Sequence, residues 1–236
     1  MAERAEFERE MLKRTELFAP LEDAQLDALL AGAKRRKLKN REELCHKGDE
    51  GSQLFLVQTG RLKAITHSMG GGSVTFTVMG PGEIIGELAL LGAGVRSATV
   101  TAMEASHLLV FERRDFLQVI RENADLAIEL LQILSRRVLR LSDSVADAQF
   151  LNLPARLAKK LLTLEQSHGR DAEEGREIGM KLSQGELADL VATTRESINK
   201  QVGIWREEGI LSMESGKIVL HRLDALREIA AHARAL

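Results

Sequence analysis

Short alternating runs, LFLVQTG, RLKAITH, VTFTVMG and ATVTA, fill the segment from Glu43 to Arg113. Glycines at positions 48, 51, 60, 70, 71, 72, 80, 82, 92 and 94 punctuate them. A side-chain period of two, interrupted every few residues by turn formers, suits antiparallel strands joined by tight turns and does not suit a helix. An all-β domain is the expectation. The stretch GGGS at 70–73 lies between two such runs with no helix after it, so it reads as a hairpin turn rather than a phosphate loop.

Both flanks are helical. Before about Leu38, Leu17, Phe18, Leu21, Leu26, Leu29 and Leu30 are spaced for one buried face, and Pro20 suits a first helical turn. From Asp115 the helical period returns and runs past Phe150. Within it Leu131, Leu134, Val138, Leu141, Val145 and Ala148 alternate steps of three and four, a seam of about two and a half heptads. Leu130, Ile133 and Leu139 add apolar surface, enough for one side to face the β domain and for the seam to face a second copy. Pro154 stops or bends this helix. Beyond it come a short helix (ARLAKKLLTLEQ), a polar loop (SHGRDAEEGREIG), two compact helical segments and the strand-like pair GILSMES and GKIVLHR. The expected class is α+β, with an antiparallel all-β domain and N-terminal helices over 1–122, a dimerising helix and hinge over 123–152, and a second α+β domain over 153–236.

A chain of 236 residues with 44% hydrophobic content can build two such cores. Its formal net charge of -2 argues against nonspecific polyanion binding, so any nucleic-acid contact must come from a local patch. One cysteine, Cys45, excludes an internal disulfide framework and is too few for an iron–sulfur cluster. The start, MAERAEFEREMLKRTE, is too charged for a signal peptide, and no apolar run nears a membrane span, so a cytoplasmic protein without membrane contact is expected. No nucleophile–base pair or metal-ligand spacing occurs, and the six histidines are scattered singly. Neither a catalytic site nor a metal site is expected.

SQGELADLVATTRESINKQVGIWREEGIL has helix-turn-helix spacing. Ser183 with Glu186 forms a capping box for the first helix, and Thr193 with Glu196 a second for the recognition helix. Ala188 is small where the helices approach, and Leu187, Leu190, Val191, Ile198 and Val202 supply a shared core. A strand pair turning at Gly216 adds a wing. Recognition helices present their N-terminal side chains to the major groove, here Arg195, Glu196, Ser197, Asn199 and Lys200, with Thr194 and Gln184 beside them as further DNA-binding candidates. Arginine and lysine can donate to guanine, and glutamate can accept from cytosine N4. Arg156, Lys159 and Lys160 belong instead to a solvated face near the hinge.

GELALLGAGVRSATV, from Gly86 to Val100, carries the other signal. A Gly-Glu pair and an Arg-Ser pair, neither suited to an apolar core, stand ten residues apart in a strand-rich region. A cyclic nucleotide offers one phosphate charge, a ribose 2′-hydroxyl and a flat base. Gly86 lets the backbone approach such a ligand, and the turn through Glu87, Leu88 and Ala89 can aim amide N–H groups at phosphate oxygens. Arg96 supplies a charge-assisted contact to the phosphate and Ser97 a hydroxyl. Glu87 cannot help an anion and suits the 2′-hydroxyl; the alternative is a surface ion pair with Arg96.

These segments, with HKGDEGSQLFLVQTGRL, FLNLPARLA and LVATTRESINKQV, resemble the CRP/FNR family of bacterial transcription regulators, on its cyclic-AMP receptor branch. The resemblance spans nearly the whole chain. It implies a cyclic-nucleotide-binding β-roll, a long dimerisation helix and a C-terminal winged helix-turn-helix. It further implies a homodimer that binds a palindromic double-stranded DNA site and works with RNA polymerase. The ligand it implies is cyclic AMP, held without a covalent cofactor, with cyclic GMP as second candidate. Adjacent Thr and Ser residues meet the adenine in this family; counted back from PARLA, those positions are Leu141 and Ser142. Leucine cannot accept from the adenine amino group, which weakens the preference for adenine, and Ser97 could instead serve a guanine 2-amino group. The alternatives are a family member sensing another effector, through haem-bound gas or redox chemistry, or one acting without ligand. The polymerase-contacting loop would fall near Ser167–Arg176, an acidic segment here.

Overall fold

The computed structural model describes residues 2–67, 73–92 and 94–232. The N-terminal helical period resolves into α1, Ala2–Lys13, and α2, Asp23–Gly32. Leu17, Phe18, Leu21, Leu26, Leu29 and Leu30 are all buried, as their spacing requires. Pro20 does not open α2; it lies in the preceding turn, and Glu22 caps the helix in a reciprocal box with Gln25. The helix also stops short of Leu38. Lys34–Leu38 forms strand β1, an edge strand paired antiparallel with β8, Ser106–Glu112. KRRKL has no apolar alternation because an edge strand can keep its charges in water, so only the ladder makes it a strand.

Between them lie β2, Glu43–Cys45, β3, Gln53–Thr59, β4, Leu62–His67, β5, Ser73–Met79, and β6, Ile84–Ile85. A short helix α3, Glu87–Leu91, and β7, Thr99–Ala102, complete the set. The strands make two four-stranded sheets, ordered β1-β8-β3-β6 and β2-β7-β4-β5. Gly70, Gly71 and Gly72, read as a hairpin turn, lie outside the described residues; β4 and β5 on either side are sheet neighbours. The apolar run LFLV in β3 faces two cores. Leu54 and Leu56 join Leu109 and Phe111 of β8 under the helices, while Phe55 and Val57 join Leu108 and Val110 between the sheets. A strand covered on both faces loses its polar alternation.

α4, Arg113–Glu122, and α5, Ala124–Phe150, follow, separated at Asn123, whose Oδ1 accepts from the Leu126 N–H at 3.0 Å. Leu126 and Leu130 are buried against the β core, with Ile133 and Leu134 packed partly against it. Further along α5 the apolar side chains emerge: Leu131, Val138, Leu139, Leu141 and Val145 are each more than half exposed. Leu134 therefore serves the β core more than the seam, and Leu139, expected on the β-facing side, is free of it.

Contacts divide the chain into two compact units, residues 1–66 with 76–139, and 67–75 with 140–236. In the second, Asn152 caps α6, Leu153–His168, with Pro154 in its first turn. The segment read as a polar loop is instead a hairpin, β9, Gly169–Ala172, and β10, Gly175–Ile178. Polar strands of this kind show no period in sequence; ion pairs of Arg176 with Glu165 at 2.7 Å and with Asp171 at 2.5 Å brace it. α7, Gln184–Leu190, α8, Arg195–Glu207, β11, Leu211–Glu214, and β12, Lys217–Leu220, come next, in a sheet ordered β11-β12-β10-β9. A last helix α9, Leu223–His232, which the sequence reading passed over, packs on α6, and its Ala225 and Leu226 are buried. Lys159 pairs with Asp147 at 2.7 Å, but Lys160 is half-buried rather than solvated, and burial lowers its pKa. No described helix is long and apolar enough to cross a membrane.

Candidate ligand site and nucleic-acid interface

β6 delivers the chain to Gly86, whose φ of +98° turns it into α3. Only glycine fits. A Cβ there would lie 2.0 Å from Arg96 Nη1 and 2.8 Å from the Gln53 carbonyl oxygen. Ala89 and Leu90 anchor α3 in the core, leaving Leu88 and Leu91 exposed. The first-turn amides of a helix have no partner within it, so those of Glu87, Leu88 and Ala89 can face a ligand. The HKGDEGSQ loop packs against the same turn. The Arg96 N–H donates to the Asp49 carbonyl and the Gly48 N–H to the Arg96 carbonyl, each at 2.8 Å. A Cβ on Gly51 would meet that of Ala89 at 2.4 Å.

Arg96 is only 6% exposed. Its Nη2 donates to the Gln53 carbonyl at 2.9 Å, and its guanidinium lies 5.1 Å from the Phe55 ring centroid. Its buried Nη1 has no hydrogen-bond partner among the described residues. Desolvation lowers the Arg96 pKa, partly countered by Cys45, Glu87 and Asp49. Arginine remains charged throughout. A buried cationic donor left unpaired costs stability unless an acceptor joins it, and an anion is the natural acceptor. Ser97, next in the chain, is exposed.

Glu87 is 2% exposed, and its partner differs from the expected alternative. No ion pair joins it to Arg96 among the described residues; Arg137 of α5 pairs with it and also donates from Nη2 to the Ile84 carbonyl at 2.9 Å. Sequence reading missed Arg137. Its only trace was a charge inside the apolar helix pattern, a common feature of solvated faces. Leu141 stands one helical turn beyond Arg137 on α5, with Ser142 next to it, and both are exposed.

In the second unit the capping box is as expected: the Glu186 N–H donates to Ser183 Oγ at 3.2 Å, and the Ser183 N–H to Glu186 Oε2 at 2.9 Å. The cap of α8 falls one residue later than read. Thr194, not Thr193, accepts from the Ser197 N–H at 3.2 Å; the Thr193 N–H closes the turn on the Ala188 carbonyl at 3.0 Å. Adjacent threonines made the sequence ambiguous by one position. Ala192, at φ +50°, takes the left-handed turn between the helices. Leu187, Ala188, Val191, Ile198, Val202 and Trp205 are buried, with Leu190 half-buried. Arg195, Glu196, Asn199 and Lys200 are exposed on α8, and Ser197 is half-buried. The wing turns through Ser215 and Gly216, both at positive φ. A cleft of about 460 Å³, bordered by Gln184, Arg195, Arg206 and Ser215, lies beside the recognition helix.

Two family models match. Residues 35–123 match the cyclic nucleotide-binding domain and residues 155–229 the Crp-like helix-turn-helix domain. The chain is 32% identical over 220 residues to the cyclic AMP receptor protein of Thermus thermophilus, covering 93% of this chain and 98% of that protein. It is 28% identical over 211 residues to the CRP-like cAMP-activated global transcriptional regulator of Mycobacterium tuberculosis, covering 89% and 94%. Among solved structures, a transcriptional regulator of the CRP family from Thermus thermophilus matches with a TM-score of 0.71 and 25% identity, over 85% of this chain and 98% of that one.

Proposed function

The chain belongs to the CRP/FNR family of transcription regulators, and on that premise we propose that it is a homodimer whose binding to a palindromic DNA site depends on a cyclic nucleotide. The observation that carries the ligand half is the buried Arg96, with an Nη1 unpaired among the described residues, beside a glycine that admits no side chain. In this reading the phosphate sits on Arg96, on the α3 amides and on Ser97. The ribose hydroxyl approaches Glu87, which must then be shared with Arg137. Because Arg137 belongs to α5, occupancy is felt by the long helix. The ligand thus shifts an equilibrium between two placements of the DNA domains, one of which sets the recognition helices about 34 Å apart for successive major grooves.

Residues 1–122 are the sensor in this account, 123–152 the dimerising helix and hinge, and 153–236 the DNA reader. The exposed stripe Leu131, Val138, Leu141 and Val145 supports the dimer, since an apolar stripe of this length is costly to leave in water. RNA polymerase is the expected further partner, and the cytoplasm the expected compartment. Cyclic AMP is the first candidate, on the likeness to relatives named for it, and cyclic GMP the second, because Leu141 offers no acceptor to adenine. Redox sensing at Cys45 is disfavoured: burial raises the pKa of its thiol, so little thiolate is present. Calorimetry with each nucleotide tests the ligand half. Saturable binding at one ligand per protomer is expected; heat of dilution alone for both nucleotides would contradict it.

A further inference from the structure

α8 presents Arg195, Val202 and Arg206 on one face, since steps of seven and four return to the same side of a helix. All three border the cleft of about 460 Å³, and so do Ser183 and the wing turn at Ser215 and Gly216. No carboxylate among the described residues borders it. Arg195 and Arg206 are both exposed, and neither has an ion pair or a side-chain hydrogen bond among the described residues. Arg170 and Arg176 of the same unit, by contrast, each hold a carboxylate. A cation in the last turn of α8 suits the helix dipole, but the dipole does not choose its face. Two guanidinium groups on one cleft, with no counter-charge from the protein, suit an anion.

We infer that Arg206 is a DNA-contacting residue that holds a backbone phosphate in this cleft, together with the Ser215 hydroxyl. The inference rests on the DNA-binding reading above and adds to it a contact that carries no base information. Arg206 stands eleven residues beyond Arg195 on α8, about 16 Å along the helix axis. A recognition helix sets its first turn against base edges in a groove about 8.5 Å deep, so its last turn lies at the level of the phosphates. Arginine and serine side chains are ordinary phosphate donors. The Arg206 guanidinium can donate to two oxygens of one phosphate, and the Ser215 hydroxyl, on the wing side of the cleft, can donate to the same group. Each protomer carries one such cleft, so a dimer on a palindrome makes the contact twice.

Anisotropy titrations of the full-length protein over a series of salt concentrations test this, with saturating cyclic AMP or cyclic GMP. The probe is a palindromic duplex that the parent selects from a randomised pool. Affinity falls with salt in proportion to the phosphates neutralised, by about 0.9 in the logarithmic slope for each contact. Arg206→Ala is expected to flatten the slope by about two per dimer and to weaken binding by about tenfold to a hundredfold at low salt. The base preference found by selection should not move. Arg206→Lys should keep most of the slope, because an ammonium still neutralises the phosphate, whereas Arg206→Gln should behave as the alanine variant. Arg227→Ala, at an exposed position of α9 that does not border the cleft, removes the same charge and should keep the parent slope. An unchanged slope in Arg206→Ala, an equal flattening by Arg227→Ala, or an altered base preference would overturn the inference while leaving the DNA reader intact. A parent that selects no sequence would overturn the DNA-binding reading and the inference with it. Circular dichroism of each variant checks that lost affinity is not lost folding.

Discussion

At the residue scale the proposed ligand site turns on Arg96 and on what lets it stay buried. Arg96→Ala should weaken cyclic-nucleotide binding by about 2–4 kcal/mol, because a desolvated phosphate loses its charged donor; isothermal calorimetry measures it, and unchanged affinity would remove Arg96 from the site. Gly86→Ala should cost at least about tenfold in the same titration. Its new Cβ would stand 2.0 Å from Arg96 Nη1, on a backbone at φ +98° that side chains rarely adopt. In the proposed site the base falls to Leu141. A site built to bond a polar group can discriminate by about 10⁴ or more, whereas an apolar contact rarely exceeds about 10². Cyclic AMP and cyclic GMP should therefore bind within about two orders of magnitude of each other, and Leu141→Thr should shift the ratio toward cyclic AMP. A parent preference of about a thousandfold or more would mean that other residues read the base. Glycine and arginine were legible here because each is a rare choice beside buried strands. Arg137 was not, since its role depends on which turn of α5 passes Glu87, and spacing within α5 does not reveal that.

At the element scale, strands and helices with a buried face were readable, the last helix α9 excepted, and those without one were not. β3 and β8 announce themselves by apolar runs, and α7 by its capping box. The edge strand Lys34–Leu38 and the hairpin β9–β10 carry charge where a pattern would be, and only their ladders reveal them. α5 shows both sides of this: its period was plain, but which residues face the β core required the fold. Since Leu134 packs partly against that core, the dimer seam is better tested at Val138 and Val145, which are 63% and 58% exposed in the single chain. Val138→Asp with Val145→Asp should give monomers in sedimentation, because charges would be buried at a two-fold interface. A dimer that persists would place the contact elsewhere. α6 offers a pH test. Burial lowers the Lys160 pKa, chiefly by desolvation and further through Arg140. The unfolded chain then binds more protons than the folded one between the folded and unfolded pKa values, so Lys160 lowers stability below that window and the loss is relieved as pH rises through it. Lys160→Met should thus be more stable than the parent at pH 7 in urea unfolding, with the difference shrinking toward alkaline pH. A constant difference would assign the effect to packing alone.

At the scale of the whole molecule, the order of parts was legible because the period of the sequence changes from helix to strand to helix, with Pro154 marking the later joint. The contacts set the division inside α5, between Leu139 and Arg140, where no change of composition marks it. A continuous helix has no sequence signal for where its packing partners change. What makes the molecule a regulator, in this account, is coupling: a ligand bound at Arg96 must alter how well α8 engages DNA, and the shift can be no larger than the difference in ligand affinity between the two placements. The most direct test is fluorescence anisotropy of a palindromic duplex enriched by this protein, titrated with parent and Arg96→Ala protein in the absence and presence of each cyclic nucleotide. The account predicts that nucleotide tightens binding of the parent at least about tenfold and leaves Arg96→Ala near its ligand-free affinity. Equal affinity for the duplex with and without cyclic AMP or cyclic GMP, at concentrations where calorimetry shows the site filled, would contradict it.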